Sequence, residues 1–353
     1  MARPEARLRR TILDQPVLDH GGSLANARQL FPGAPEPWID LSTGINPHSY
    51  PFFDLPQAAL TLLPERSRIA ELCAVAAQAY GAPSGANIVA APGTQILLPL
   101  AMRLADPGRA VILGPTYAEH ARAAALAGHQ VVETSRIEDL SAADLAVVVN
   151  PNNPDGRVLE PGLLLELAAT LRGRDGLLVV DEAFMDVGPA GASLAGDADQ
   201  DGLIVLKSFG KFFGLAGLRL GFALASWPIV QRLEGELGPW AVSGPALEYG
   251  LKALADQGWR SAMQKLLEQE AALLDALLAR HGITVNGGTP LFRFVEHQDA
   301  ALIFHRLGAE GILVRRFERL PNCLRFGLPA GEVERGRLDK ALTEWREKRD
   351  EAP

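Results

Sequence analysis

The sequence predicts an α/β protein, with a mainly parallel sheet sandwiched by helices and a second, smaller α+β domain. Three observations predict it. From about residue 67 to residue 323, short β-branched runs alternate with longer amphipathic stretches. Several runs, AVVV and LLVV among them, are continuously apolar, as strands covered on both faces are. After about Pro245 the alternation gives way to long helical stretches and a few short strands. Strand–helix alternation of this kind builds a parallel sheet through right-handed crossovers.

In the larger part the candidate strands are 88–91, 110–113, 130–133, 146–150, 177–180, 203–206 and 218–223. Between them, RIAELCAVAAQAY runs into Gly81, a good helix stop, and TQILLPLAMRLA runs into Asp106-Pro107-Gly108. Beyond Pro245 comes the helical stretch ALEYGLKALADQGWRSAMQKLLEQEAALLDALLARHG. Short strands follow around 291–295 and 323–328, and the charged helix GRLDKALTEWREKRD closes the chain. The expected organisation is an N-terminal segment, 1–39, packing with the small domain, a large domain over 40–244 and a small domain over 245–353.

The 353 residues are 48% hydrophobic and 22% charged, which excludes a disordered or fibrous protein. A formal charge of −8 leaves no net positive field for phosphate backbones, so a dedicated nucleic-acid binder is excluded too. Cys73 and Cys323 each stand alone, so neither a disulfide framework nor a structural zinc site is expected, and a reducing compartment fits. MARPEARLRR is basic but leads into TILDQPVLDH rather than an apolar core, unlike a signal peptide. The longest mostly apolar stretch, 88–102, is broken by Pro92, Gly93, Thr94, Gln95 and Pro99, and is too short and polar to span a bilayer. A soluble, cytoplasmic protein is expected.

There are six lysines. Lys252, Lys265, Lys340 and Lys348 lie in amphipathic helices, where a solvated charge suffices. Lys207 and Lys211 lie instead in LKSFGKFFGLAGLRLG, at the end of an apolar strand. A partly desolvated lysine suits Schiff-base chemistry, though one lysine at the edge of a core looks the same. The neighbours add to the case. Ser208 stands three residues before Lys211 and Arg219 eight after it, and a hydroxyl and a guanidinium both donate to phosphate oxygens. Gly93-Thr94 opens a predicted helix directly after a strand and offers free amides to an anion, although many helices start that way. Asp181 follows LLVV, and Asn153-Pro154-Asp155-Gly156 follows AVVVN, so both fall at carboxyl ends of strands, where open α/β sheets bind ligands. NPDG on its own would be only a turn.

Taken in order, these residues resemble the fold-type I pyridoxal-phosphate enzymes of the class I/II aminotransferase superfamily, whose large domain is aspartate-aminotransferase-like. The resemblance runs from Asp40–Pro47 to Arg325 through PTYAEH (115–120), NPNNPDG, DEAF (181–184) and SFGKFFGLAGLRLG. It implies pyridoxal 5'-phosphate as cofactor and a homodimer. By that resemblance Lys211 carries the cofactor and moves protons at the substrate Cα, Asp181 keeps the pyridine nitrogen protonated, and Asn153 bonds the ring O3′. Gly93, Thr94, Ser208 and Arg219 hold the cofactor phosphate, with the Gln95 backbone as helper. Within PTYAEH, His120 is the first choice for stacking on the ring and Tyr117 the second. Arg325, in CLRFGLP, matches the arginine that grips the substrate carboxylate.

Two departures narrow the subfamily. Phe184 stands where many members have a tyrosine that also bonds O3′, and Leu62-Leu63-Pro64 stands where histidinol-phosphate aminotransferases carry Arg-Tyr-Pro. HGG at 20–22, DLSTGINP at 40–47, DEAF and KFFGLAGLRLG are similar to the threonine-phosphate decarboxylase branch of cobalamin biosynthesis. That branch converts L-threonine O-3-phosphate to (R)-1-amino-2-propanol O-2-phosphate. His20, Gly21 and Gly22 would then receive the substrate phosphate, with Asn153 and Arg325 completing the substrate site. The alternative is a histidinol-phosphate-type aminotransferase. The two reactions differ in which Cα bond stands perpendicular to the cofactor ring, an angle that sequence does not show. A nicotinamide dehydrogenase is disfavoured because no G-x-G-x-x-G follows the first strand. A non-catalytic regulator lacks any DNA-binding motif.

Overall fold

A computed structural model describes residues 21–350. In chain order the strands are β1 (Ile39–Leu41), β2 (Ile88–Ala91), β3 (Arg109–Leu113), β4 (Gln130–Thr134), β5 (Leu145–Val149), β6 (Leu177–Asp181), β7 (Leu203–Ser208), β8 (Gly221–Ala225), β9 (Val285–Thr289), β10 (Phe292–Glu296), β11 (Ile312–Arg316) and β12 (Cys323–Gly327). They form two sheets in two compact units. One unit spans His48–Leu267, and the other joins the described residues up to Pro47 with those from Glu268 onward.

The His48–Leu267 unit holds a seven-stranded sheet in the order β2-β8-β7-β6-β5-β3-β4, in which β8 alone runs against its neighbours. Every residue of β5, β6 and β7 is buried, which is why their sequences are apolar without alternation. Each Val or Leu so covered contributes ~1.5–3 kcal/mol relative to exposure. The edge strand β4, QVVET, has no fully buried residue. The helix Arg66–Tyr80 stops where the sequence indicates, at Gly81 in the left-handed region (φ 76°).

One strand differs from the sequence reading. The apolar run from 218 suggests a strand over 218–223, but β8 begins at Gly221. Ala216–Leu218 close a 3₁₀ turn and Arg219 takes φ 54°, so the chain becomes extended only after the arginine. The register pairs Val149 with Asp181 and Asp181 with Leu206, which brings the carboxyl ends of β5, β6 and β7 level. Asp181 and Ser208 therefore sit at the ligand-binding edge of the sheet.

The other unit has a five-stranded sheet in the order β1-β11-β12-β10-β9, with β1 parallel to β11 and the remaining pairs antiparallel. Helix Ala300–Ala309 packs on β11 and on helix Glu332–Asp350. Phe31 lies against Phe304, and a Cβ on Gly308 would come within 2.2 Å of the Phe31 ring, so the glycine makes room for it. Sequence patterning missed β9, whose VNGGT is poor in strand-forming residues, the three-residue β1, and β11, whose ILVRR follows directly on a helix.

Candidate active site

The helix Thr94–Met102 starts on Gly93, whose backbone (φ 86°, ψ 159°) is open essentially to glycine alone. A Cβ there would lie 2.6 Å from Arg219 Nη2. The guanidinium of Arg219 thus lies against the bare backbone at a helix N-terminus, held by a bond from Nη1 to Ala216 O (3.1 Å) and by the left-handed backbone of Arg219 itself. Gly221 is equally tight, because a Cβ on it would approach Thr94 N at 2.6 Å. Helix amides, the Thr94 hydroxyl and a cation are the donor set a phosphate monoester requires. Ser208 precedes the short helix Phe209–Phe212, which carries Lys211. The predicted Gly93–Thr94–Arg219 grouping is therefore present as a cradle that a side chain on Gly93 would fill.

Asp181 ends β6, nearly buried. Its Oδ1 accepts from Ala183 N (3.0 Å) and its Oδ2 lies 3.0 Å from His120 Nε2. His120 is wholly buried, and an ionised carboxylate requires that its Nε2 carry the proton. The three-residue spacing in PTYAEH places Tyr117 beside His120, with ring centroids 5.9 Å apart and planes nearly perpendicular. The Tyr117 hydroxyl donates to Gln95 Oε1 (3.2 Å), while Gln95 Nε2 donates to Glu119 Oε2 (2.9 Å). The Gln95 side chain thus braces Tyr117, a role that reading its backbone alone overlooked.

Lys211 Nζ lies 5.6 Å from the Phe184 ring centroid, so the phenyl ring in place of the usual tyrosine packs beside the lysine. Lys207 is committed elsewhere. It is 3% exposed and donates to Glu182 Oε2 and to Ser193 Oγ. Asn153 is half-buried in the turn after β5, whereas its neighbour Asn152 is fully buried and bonded to Thr116, Pro115 and Asp155.

In the other unit, a Cβ on Gly21 would meet Ser42 O at 2.4 Å, and Gly22 N donates to Ser42 Oγ (2.7 Å). Arg325 Nη2 donates to Ser42 O (2.9 Å), which brings Gly21, Gly22 and Arg325 to one short segment. His20 lies outside the described residues. Arg325 sits directly across from Arg315 in the β11–β12 register. Burial, then the Arg315 charge, lower the Arg325 guanidinium to about 9, while Asp40 works the other way. Arg325, which is buried, and Arg315 thus stand side by side on neighbouring strands, and Asp40 offsets part of their mutual repulsion. Sequence reasoning missed Arg315. The signal was there in ILVRR, an apolar strand run ending in paired arginines.

A parallel sheet with a phosphate cradle, a strand-end carboxylate and a lysine nearby has the make-up of a pyridoxal-phosphate enzyme. The family model "Aminotransferase class I and II" matches residues 58–342, and the chain belongs to that family. It is 43% identical to the threonine-phosphate decarboxylase of Pseudomonas aeruginosa over 334 residues, 94% of this chain and 99% of that protein. It is 45% identical to the threonine-phosphate decarboxylase of a Sinorhizobium species over 326 residues, 92% of this chain and 97% of that one. Among solved structures, the histidinol-phosphate aminotransferase from Sinorhizobium meliloti in complex with pyridoxal-5'-phosphate superposes with a TM-score of 0.78 over 96% of each chain at 22% identity. That last likeness is one of fold.

Proposed function

We propose that this chain is a pyridoxal-phosphate-dependent decarboxylase converting L-threonine O-3-phosphate to (R)-1-amino-2-propanol O-2-phosphate, a step of cobalamin biosynthesis. The near full-length likeness to two threonine-phosphate decarboxylases carries this reading. The aminotransferase neighbour, at half that identity, shares only the fold.

When bound, pyridoxal phosphate supplies the electron sink for charge developing at the substrate Cα. Gly93, Thr94, Ser208 and Arg219 hold its phosphate. Asp181, fixed by His120, keeps a proton on the pyridine nitrogen, and Asn153 donates to the ring oxygen. Because His120 spends its ring edge on Asp181 and is sealed from solvent, Tyr117 takes the stacking role and Gln95 holds it there. Lys211 would bind the cofactor and, once carbon dioxide has left, deliver the proton that replaces it at Cα. Arg325 and Arg315 receive the anionic groups of the substrate, with Gly21 and Gly22 assisting.

Phe52, Leu60, Leu62, Leu63 and Trp240 are all exposed, more large apolar side chains than a single turn would leave in water by chance, and a homodimer that covers some of them is the assembly we assign. No helix among the described residues is long and apolar enough to cross a membrane, in keeping with the cytoplasmic location we assign.

The test is kcat/KM for threonine phosphate against threonine, in wild type and Arg315→Leu. The phosphate ester is expected to win by ~10²-fold or more in wild type, with that advantage shrinking in the variant. Threonine turning over as well as its phosphate would overturn the assignment.

A further inference from the structure

Lys207 and Glu182 form an ion pair that the reaction does not use. Lys207 is 3% exposed and Glu182 is wholly buried. The Lys207 ammonium donates to Glu182 Oε2 and to Ser193 Oγ (3.0 Å), and Ser193 Oγ itself donates to the same carboxylate oxygen (2.6 Å). The other oxygen, Glu182 Oε1, accepts from Leu194 N (2.7 Å). Taking two charges out of water costs free energy that an apolar pair would not, so such a pair is weak evidence for stability and better evidence for position.

Its position is informative. Successive side chains of a strand point to opposite faces, so Asp181 and Ser208 share one face of the sheet while Glu182 and Lys207 share the other. Between β6 and β7 the paired register ends at Asp181–Leu206, followed by one bond from Glu182 N to Leu206 O (2.9 Å). On the β8 side, β7 stays paired as far as Ser208–Gly221. The ion pair therefore joins the β6 and β7 ends where their ladder gives out. It also closes a loop. The chain leaves Glu182, passes Phe184 beside Lys211 Nζ, and returns at Ser193 and Leu194 to the same carboxylate.

We propose that Lys207–Glu182 is a positioning pair. From the far face of the sheet it fixes Asp181 and the Phe184 loop against the strand that delivers Ser208 and Lys211, and so sets how tightly the cofactor is held and at what pH it changes protonation. The inference rests on the reading that Asp181 and Lys211 hold pyridoxal phosphate. Asp181 is already tied to β5 by Asn150 N to Asp181 O (2.8 Å) and to β7 by Glu182 N to Leu206 O, and the pair adds to these bonds by holding the chain beyond them, the Phe184 loop and the end of β7, from behind the site.

The experiment measures pyridoxal-phosphate Kd and the pH midpoint of the bound cofactor's visible absorbance. Lys207→Arg keeps the charge and is expected to match wild type in both. Lys207→Met/Glu182→Leu removes both charges of the pair and leaves buried Asp186, which feels Lys207, Arg260 and Glu182, with Arg260 as its remaining cation; it is expected to bind the cofactor about tenfold more weakly with a displaced midpoint. Ser193→Ala keeps both charges and loosens their link, and a smaller change in the same direction is expected. Wild-type Kd and midpoint in either the folded double variant or Ser193→Ala would overturn the proposal. Failure of the underlying reading shows separately, as a visible band that survives Lys211→Ala.

Discussion

Gly93→Ala probes the phosphate cradle at its tightest point. Gly93 occupies φ 86°, ψ 159°, and forcing an alanine there costs ~1–3 kcal/mol. The added Cβ would also stand 2.6 Å from Arg219 Nη2, too close for the guanidinium to stay where it is. The free variant relieves both problems by shifting the turn, and the cofactor phosphate must then restore the turn in order to bind. The penalty falls on affinity, so ~1–3 kcal/mol becomes a ~5- to ~150-fold rise in pyridoxal-phosphate Kd. Fluorescence or absorbance titration of the apoenzyme measures it. Gly33→Ala is the control, since Gly33 has the same φ of 87° with open space around its Cβ position, and should lose stability without losing cofactor affinity. A Gly93→Ala enzyme with lowered Tm but Kd within about twofold of wild type would refute the reasoning, because the strain would then lie outside the cradle.

Other expectations follow from the same site. Lys211→Ala should abolish the visible absorbance of bound cofactor, while Lys207→Ala should retain the band, and the reverse pattern would show that the wrong lysine is assigned. Asp181→Asn, which keeps the hydrogen-bonding shape but removes the charge, should cut turnover by ~10²-fold or more with cofactor still bound; normal turnover would remove Asp181 from the mechanism.

The parts of this fold legible in the sequence are those whose environment is uniform. β5, β6 and β7 are buried on both faces, so their residues carry no compromise and read as strands at once. β8 was misplaced at its start because Leu218 is as apolar as the strand it precedes, and nothing local reveals that Arg219 must turn left-handed to lie against Gly93. The grouping of Gly93, Thr94 and Arg219 was legible because a glycine-started helix and an arginine near a lysine are the residues a phosphate site would need. The sequence does not separate Tyr117 from His120, since a three-residue spacing puts both near the site, and the structure shows that His120 is the one against Asp181. Arg315 escaped because its significance lies in standing opposite Arg325, a pairing between strands that the linear sequence does not display.

The central claim is that the amino group leaves with the product rather than staying on the cofactor. The direct measurement is the number of turnovers per active site when cofactor-loaded enzyme meets excess L-threonine O-3-phosphate with no 2-oxo acid present. A decarboxylase regenerates itself at each cycle, so carbon dioxide and amino-propanol phosphate should accumulate in equal amounts far beyond the enzyme concentration. A transaminase without an acceptor stops once each cofactor has taken up one amino group. Product that levels off at one equivalent per site, with no carbon dioxide, would contradict the account.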